Sequence, residues 1–378
     1  MLPYGRQSID ESDIEAVVEV LRGDWLTTGP AVAAFESELE RWTGGVPCVA
    51  VTSGTAALHV AYAAAGVGNG DAASDEVITS PLTFVATAAT AALRGARVLF
   101  ADVQPDTGNL DPEAVAALAS WRTRAITAVD YAGHPADYDE LRAVAKRAGA
   151  VLIADAAHSI GAAYKDRPVG SVADLTTFSF FPTKTVTTAE GGAVAVKDPL
   201  RHAAAARFRN HGLVRDPAEQ RDPEHGGWHQ EVHEFGLNYR LPDVLCALGL
   251  SQLRRLERFR ARRAELVARY HLLLRDVPGL TLPAERAYVT PSWHLYPVRV
   301  GGGRRREVYE RMRAAGIGVQ VNYIPAYWHP VFEDLGYRRG MCPRAEAYYA
   351  EELSLPLFPD LSDGQQERVA ETLSAILG

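Results

Sequence analysis

Phe178-Ser-Phe-Phe-Pro-Thr-Lys184-Thr-Val-Thr-Thr-Ala-Glu-Gly-Gly192 decides how this chain reads. It sets one lysine in a turn between two strand-like runs, Leu175–Phe180 and Ala193–Val196, with hydroxyls before it and a flexible Glu-Gly-Gly after it. A lysine held there can lose its hydration, which lowers its pKa and makes the amine a nucleophile toward an aldehyde. Upstream by 29 residues (184 − 155) stands Val151-Leu-Ile-Ala-Asp155-Ala-Ala-His158, an apolar run ending in a carboxylate. An acid at the end of a buried strand suits a positively charged ligand. Together they form the pair that pyridoxal phosphate requires: an amine to condense with its aldehyde, and an acid to keep its pyridine nitrogen protonated.

The same texture continues on the N-terminal side. From residue 46, short apolar strand, turn and amphipathic helix repeat. Strands are predicted at Cys48–Thr52, Glu76–Thr79, Val98–Ala101, Ala125–Val129 and Val151–Ala154. Helices are predicted at Ala56–Ala65, Phe84–Leu93, Pro112–Ala119 and Tyr138–Ala148. This alternation predicts a mainly parallel sheet with helices on both faces. Ahead of it, Asp10 opens a helix through Ile14, Val17, Val18 and Leu21 that stops at Gly23, and Gly29-Pro30 opens a second through Phe35 and Leu39 to Trp42.

Near Leu241 the pattern changes. Leu241–Leu274 reads as one long helix, with Leu245, Leu248, Leu253, Leu256 and Phe259 near helical spacing. Its basic stretch, Arg254 to Arg263, reads as a solvated helix face. A strand (His294–Val300), a helix (Arg305–Ala315), a strand (Gly318–Asn322) and two closing helices follow. The expected division is a large cofactor-binding domain over 1–250 and a smaller α+β domain over 251–378. Arg215–Gly227, polar and rich in Pro, Gly and Asp, reads as a mobile loop.

Bulk properties narrow the class. A chain of 378 residues can bury more than one core, and 47% hydrophobic with 23% charged residues is ordinary globular composition. A formal net charge of −8 argues against a general nucleic-acid binder. Cys48, Cys246 and Cys342 lack metal spacing and fit a reducing cytosol. No apolar run reaches about 18 residues, and Met1-Leu-Pro-Tyr-Gly-Arg-Gln lacks the apolar core of a signal peptide. The expectation is a soluble cytoplasmic protein without metal, nucleic-acid or membrane partners. No GxGxxG or P-loop is present.

Further residues join the lysine and aspartate. Thr52-Ser-Gly54-Thr55 ends a strand and opens a helix, where free N–H groups and the helix dipole favour a phosphate. Ser53 and Thr55 add hydroxyl donors, and Ser179 offers another. A simple N-cap is the competing reading of this turn, and phosphate binding gains from the lysine and aspartate nearby. Phe84, in Pro81-Leu-Thr-Phe84-Val-Ala-Thr, could lie flat on a pyridine ring. His158 could donate to the cofactor's phenolic oxygen. Asp102 and Asp130 read as turn or cap residues.

These segments, with Trp25-Leu-Thr-Thr-Gly-Pro30, Gly236-Leu-Asn-Tyr-Arg240 and Gly318-Val-Gln-Val-Asn-Tyr-Ile-Pro325, resemble the DegT/DnrJ family of sugar-nucleotide aminotransferases over nearly the whole length. The resemblance implies the type I, aspartate-aminotransferase-like, pyridoxal phosphate fold. It also implies ping-pong transamination from L-glutamate to a keto group of a UDP- or TDP-linked deoxysugar. Thr187-Thr-Ala-Glu-Gly-Gly192 and His294-Leu-Tyr-Pro297 look most like enzymes that aminate C4 of UDP-4-keto-6-deoxy sugars in the pseudaminic acid pathway. Amination at C3 is the alternative; sugar dehydration belongs to a branch with histidine in place of the lysine, which Lys184 opposes. A cofactor-binding regulator without turnover is the alternative from another class.

By the same resemblance, Asn238 reaches across a homodimer interface to the partner's cofactor phosphate. Tyr4, Arg6, Tyr323 and His329 line the nucleotide-sugar site. Three features depart from the pattern: a longer turn at Gly68–Asp75, an individual loop at Arg215–Gly227, and Asn322 where the pseudaminic-type enzymes carry histidine.

Overall fold

Seven strands form the central sheet of the computed structural model, which describes residues 1–69 and 75–378. In chain order they are β1 Cys48–Val51, β2 Glu76–Thr79, β3 Arg97–Phe100, β4 Thr123–Val129, β5 Val151–Asp155, β6 Leu175–Ser179 and β7 Gly192–Val196. Their spatial order is β1-β7-β6-β5-β4-β2-β3. Of the seven, β7 runs against the rest, antiparallel to β1 and β6; the other pairings are parallel. Every residue of β5 and β7 is buried, as expected for strands covered on both faces.

Alternation along the strands assigns the two faces. Val151 and Ile153 join the cluster that holds α3 (Gly54–Ala64) and α4 (Ala86–Leu93). Leu152 and Ala154 join the cluster with α6 (Tyr138–Ala148) and Val115 of α5 (Pro112–Leu118). Ala193 and Ala195 pack in a third cluster with Phe35 and Leu39 of α2 (Pro30–Trp42). Because six strands point the same way, their carboxyl ends share one edge. Strand ends there carry Asp155 and Ser179, and the segments that follow β1 and β2 carry Ser53 and Phe84, at the place where open α/β sheets bind ligands.

A second sheet, antiparallel, joins β8 (Leu280–Thr281), β9 (Tyr296–Val300) and β10 (Glu352–Leu355). The helix Arg305–Ala314 packs on it, and the closing helix Asp363–Leu377 packs on that helix. The closing helix starts with a capping box between Ser362 and Gln365. No helix among the described residues is long and apolar enough to cross a membrane.

Three sequence expectations change. Leu241–Leu274 is two helices, Asp243–Leu253 and Leu256–Leu274, interrupted at Arg254-Arg255. The first packs on Glu11–Arg22 and Pro30–Trp42, the second on the closing helix, and Arg255 turns back to the Asp10 and Asp13 carboxylates. Two packing partners in different directions break a periodicity that reads as continuous. Gly318–Asn322 is not a strand: Gln320 makes a single bridge to Ser354, and the Asn322 N–H donates to the Glu352 carboxylate at 2.6 Å. A side chain has taken the place of a ladder partner. The basic stretch is not wholly solvated either, for Arg263 is 1% exposed. Part of the longer turn expected at Gly68–Asp75 lies outside the described residues. Arg215–Gly227 is an excursion between the paired segments Leu213–Val214 and Glu231–Val232, with short 3-10 turns at Pro217–Glu219 and Pro223–His225.

Candidate active site

At the carboxyl edge of the central sheet lies a cavity of about 480 Å³, bordered by Lys184, Asp155, Ser53–Thr55, Ser179, Phe84, His158 and Tyr323. Sequence-distant strand ends have converged there. Lys184 sits in the β6–β7 connection, whose backbone is tied by Lys184 N–H to Phe181 O and Thr188 N–H to Phe180 O, both 2.9 Å. Thr187 Oγ1 donates to the same Phe180 carbonyl at 3.0 Å. The side chain borders the cavity inside the fold, and burial pushes its amine down to about 8, with the Asp155 charge opposing. A lysine in that range holds a usable fraction of neutral amine near neutrality.

Asp155 ends β5 and is 5% exposed. Thr87 Oγ1 donates to its Oδ2 at 2.7 Å and Ala157 N–H to its Oδ1 at 3.2 Å. Burial raises its pKa; the two donors and the Lys184 charge pull the other way. Thr87 is itself held by Thr83, hydroxyl to hydroxyl at 2.7 Å. A buried carboxylate aimed into a cavity is stabilised by a cation placed there, which a protonated pyridine nitrogen would supply.

The anion-binding turn is built by close packing. Ser53 caps α3, its Oγ accepting from Ala56 N–H at 3.1 Å. A Cβ at Gly54 would stand 2.7 Å from Ser179 Cβ and 2.9 Å from its Oγ. Glycine therefore lets the first turn of α3 touch the end of β6, bringing Gly54, Thr55 and Ser179 to one corner. These groups fit a phosphate, and with Lys184 and Asp155 the donor set fits pyridoxal phosphate.

Phe84, 60% exposed, meets Tyr323 edge to face at 6.3 Å between ring centroids. His158 is buried; its Nε2 is 3.1 Å from the Tyr323 hydroxyl. Burial first, then the Lys184 charge, hold His158 well below its ordinary pKa. Tyr4 also borders the cavity beside Thr183. Arg6, exposed, and His329, which begins the short helix Pro330–Asp334, do not line it. Asn238 is exposed and forms a bridge to Asn210, away from this chain's own cavity.

Sequence reasoning passed over Thr87, His294, Gln320 and Glu190 as lining residues. Thr87 had a signal: it follows Thr83 by one helical turn at a strand end. His294 stood in the His294-Leu-Tyr-Pro297 motif, but its place at the cavity was not readable from it, because the contact that seats it joins segments far apart in the chain.

Comparison with known proteins agrees with this geometry. The model of the DegT/DnrJ/EryC1/StrS aminotransferase family matches residues 7–374. The chain is 38% identical to the spore coat polysaccharide biosynthesis protein SpsC of Bacillus subtilis, over all of this chain and 97% of that one. It is 36% identical to the UDP-4-amino-4,6-dideoxy-N-acetyl-beta-L-altrosamine transaminase of Campylobacter jejuni, over all of this chain and 98% of that one. Helicobacter pylori PseC, an aminotransferase of pseudoaminic acid biosynthesis, superposes with a TM-score of 0.92 at 30% identity, covering 100% of this chain and 99% of its own. The putative sugar aminotransferase Spr1654 of Streptococcus pneumoniae, solved in its PLP-form, gives a TM-score of 0.91 at 30% identity, covering 99% of this chain and 98% of its own. The fold is thus the type I fold expected from the resemblance. A lysine and an acid facing one cavity, inside a match that spans nearly every residue, place this chain in the DegT/DnrJ/EryC1/StrS aminotransferase family.

Proposed function

We propose that this aminotransferase uses pyridoxal phosphate to aminate a keto group on a nucleotide-linked deoxysugar, a UDP- or TDP-4-keto-6-deoxyhexose, with L-glutamate as donor in a ping-pong cycle. The observation that carries the reading is the facing of Lys184 and Asp155 across one cavity with an anion-binding corner. The names of the Campylobacter and Helicobacter relatives support the sugar class. When bound, pyridoxal phosphate supplies an electron sink for a carbanion.

The chain's own residues do the rest. Lys184 Nζ would anchor the cofactor and would serve as the base and acid that moves the proton at the donor's Cα. Asp155 keeps a positive charge on the ring nitrogen, steadied by Thr87. Gly54, Thr55 and Ser179 would hold the phosphate, Phe84 would shield the ring from water, and His158 would serve the phenolic oxygen. Tyr4, Arg6, Tyr323 and His329 serve the nucleotide sugar, and Asn238 serves the cofactor phosphate of the partner in a homodimer. The catalytic corner belongs to a large domain over 1–250, closed by a smaller one over 251–378.

Absorbance tests the reading. Protein with pyridoxal phosphate should be yellow, and L-glutamate should bleach the long-wavelength band. Return of the band on adding UDP- or TDP-linked 4-ketosugars, against 3-ketosugars, then identifies the acceptor. A protein that stays yellow in glutamate is a binder and not an aminotransferase of this kind.

A further inference from the structure

Two buried residues beside the cavity have no task in the mechanism above. The turn after β4 sets Ala132 at φ +59° and Gly133 at φ +95°. Ala132 O accepts from His294 N–H at 2.9 Å, and Gly133 O accepts from Ser292 N–H at 3.0 Å. A Cβ on Gly133 would lie 2.0 Å from Ser292 O, so glycine is what lets the two backbones meet. This docking carries His294, 5% exposed, against His158 with ring centroids 4.4 Å apart.

Behind His294 stands Arg263. Its Nη1 donates to the carbonyls of Leu357 at 2.9 Å, His294 at 3.2 Å and Trp293 at 3.5 Å. It has no carboxylate partner among the described residues, and burial pushes its guanidinium down to about 10. A buried cation satisfied only by backbone carbonyls is costly, so its placement at this segment calls for a purpose.

The groups facing the two histidines are Lys184, Asp155, Tyr323 and Arg263. Burial, then neighbouring positive charge, keeps both rings neutral. Tyr323 stays protonated, since burial raises its hydroxyl strongly. Its hydroxyl, 3.1 Å from His158 Nε2, meets a neutral ring in one of two ways: donating to Nε2, with the imidazole proton on Nδ1, or accepting from Nε2–H. The Nδ1 atoms of His158 and His294 are both buried without a partner among the described residues, as donors or acceptors awaiting a ligand would be.

We propose that His294 is a positioning residue for His158, fixing by direct packing the ring orientation in which Nε2 accepts from the Tyr323 hydroxyl and the proton stays on Nδ1, and that Arg263 anchors His294 from behind. The consequence for catalysis rests on the function proposed above; the histidine geometry does not.

The test is NMR of the full-length chain labelled with 15N-histidine, before and after adding pyridoxal phosphate. The His158 signals are assigned by their loss in His158→Gln. In the wild type they should show one neutral tautomer between about pH 6 and 9. His294→Ala should give averaged tautomers or a titrating ring, and Arg263→Lys, which keeps the charge but loses the fork, should do so more weakly. His294→Phe preserves ring packing and should restore the single tautomer. In the loaded enzyme, kcat of His294→Ala should fall by up to about 10²-fold with KM little changed, the scale of a misplaced group. His158 signals unchanged in His294→Ala would overturn the proposal, and unchanged signals in Arg263→Lys would remove Arg263 from it. A chain that never turned yellow yet showed these His158 shifts would sink the functional reading and leave this one standing.

Discussion

Replacing Lys184 by Met should stabilise the empty protein while abolishing its chemistry. The amine is pushed from 10.5 to about 8 by burial. At about 1.36 kcal/mol per pKa unit, the charged form in the folded state costs at most roughly 3 kcal/mol. Water in the cavity screens part of this, so roughly 1–2 kcal/mol is the working figure. The sign follows from linkage: a lysine with a lowered folded pKa is charged in both states below about 8, and the folded state carries the full penalty there. Between about 8 and 10.5 the unfolded chain binds more protons, so wild-type stability climbs with pH toward that of the variant. Loss of the Lys184 charge also removes a partner of Asp155, which trims the gain; Asp155→Asn in both backgrounds isolates that coupling. The assay is urea unfolding of cofactor-free wild type and Lys184→Met at pH 7 and pH 10. The variant should have the higher midpoint at pH 7, with the gap narrowing at pH 10. A variant less stable at pH 7, or a gap indifferent to pH, would refute the argument that burial burdens this lysine.

Lys184→Ala should also show no long-wavelength band and no borohydride-reducible adduct; an adduct retained would mean that another lysine is the anchor. Asp155→Asn should keep the fold but lose several orders of magnitude in rate, because the ring nitrogen loses its counter-charge; a near-wild-type rate would show the carboxylate idle. Gly54→Ala should cost about 1–3 kcal/mol by overpacking against Ser179 and weaken phosphate binding. Ser179→Gly in the same chain should restore stability, and stability unaffected by Gly54→Ala would contradict the close approach. Mixing inactive Lys184→Ala and impaired Asn238→Asp chains should return part of the activity, because both lesions can fall in one shared site of a mixed dimer; no gain on mixing would point to sites complete within one chain.

Much of this protein is written locally. Strand Glu76–Thr79 and helix Tyr138–Ala148 have the bounds their patterns predict, because short apolar runs and capped amphipathic repeats depend on neighbours in sequence. The order of strand ends also made Lys184 and Asp155 readable as a pair before any coordinates, since parallel strands must deliver their carboxyl ends to one edge. What sequence could not supply depends on contacts between distant segments. The break at Arg254-Arg255 arises from two packing partners, and Gln320 pairs with Ser354 while Asn322 answers to a Glu352 carboxylate. Burial of Arg263 within a basic run follows from the carbonyls of Trp293, His294 and Leu357 that receive it, and the meeting of His158 with His294 from backbone docking at Ala132 and Gly133. Periodicity reports which face of an element is apolar; only the tertiary structure decides what that face meets.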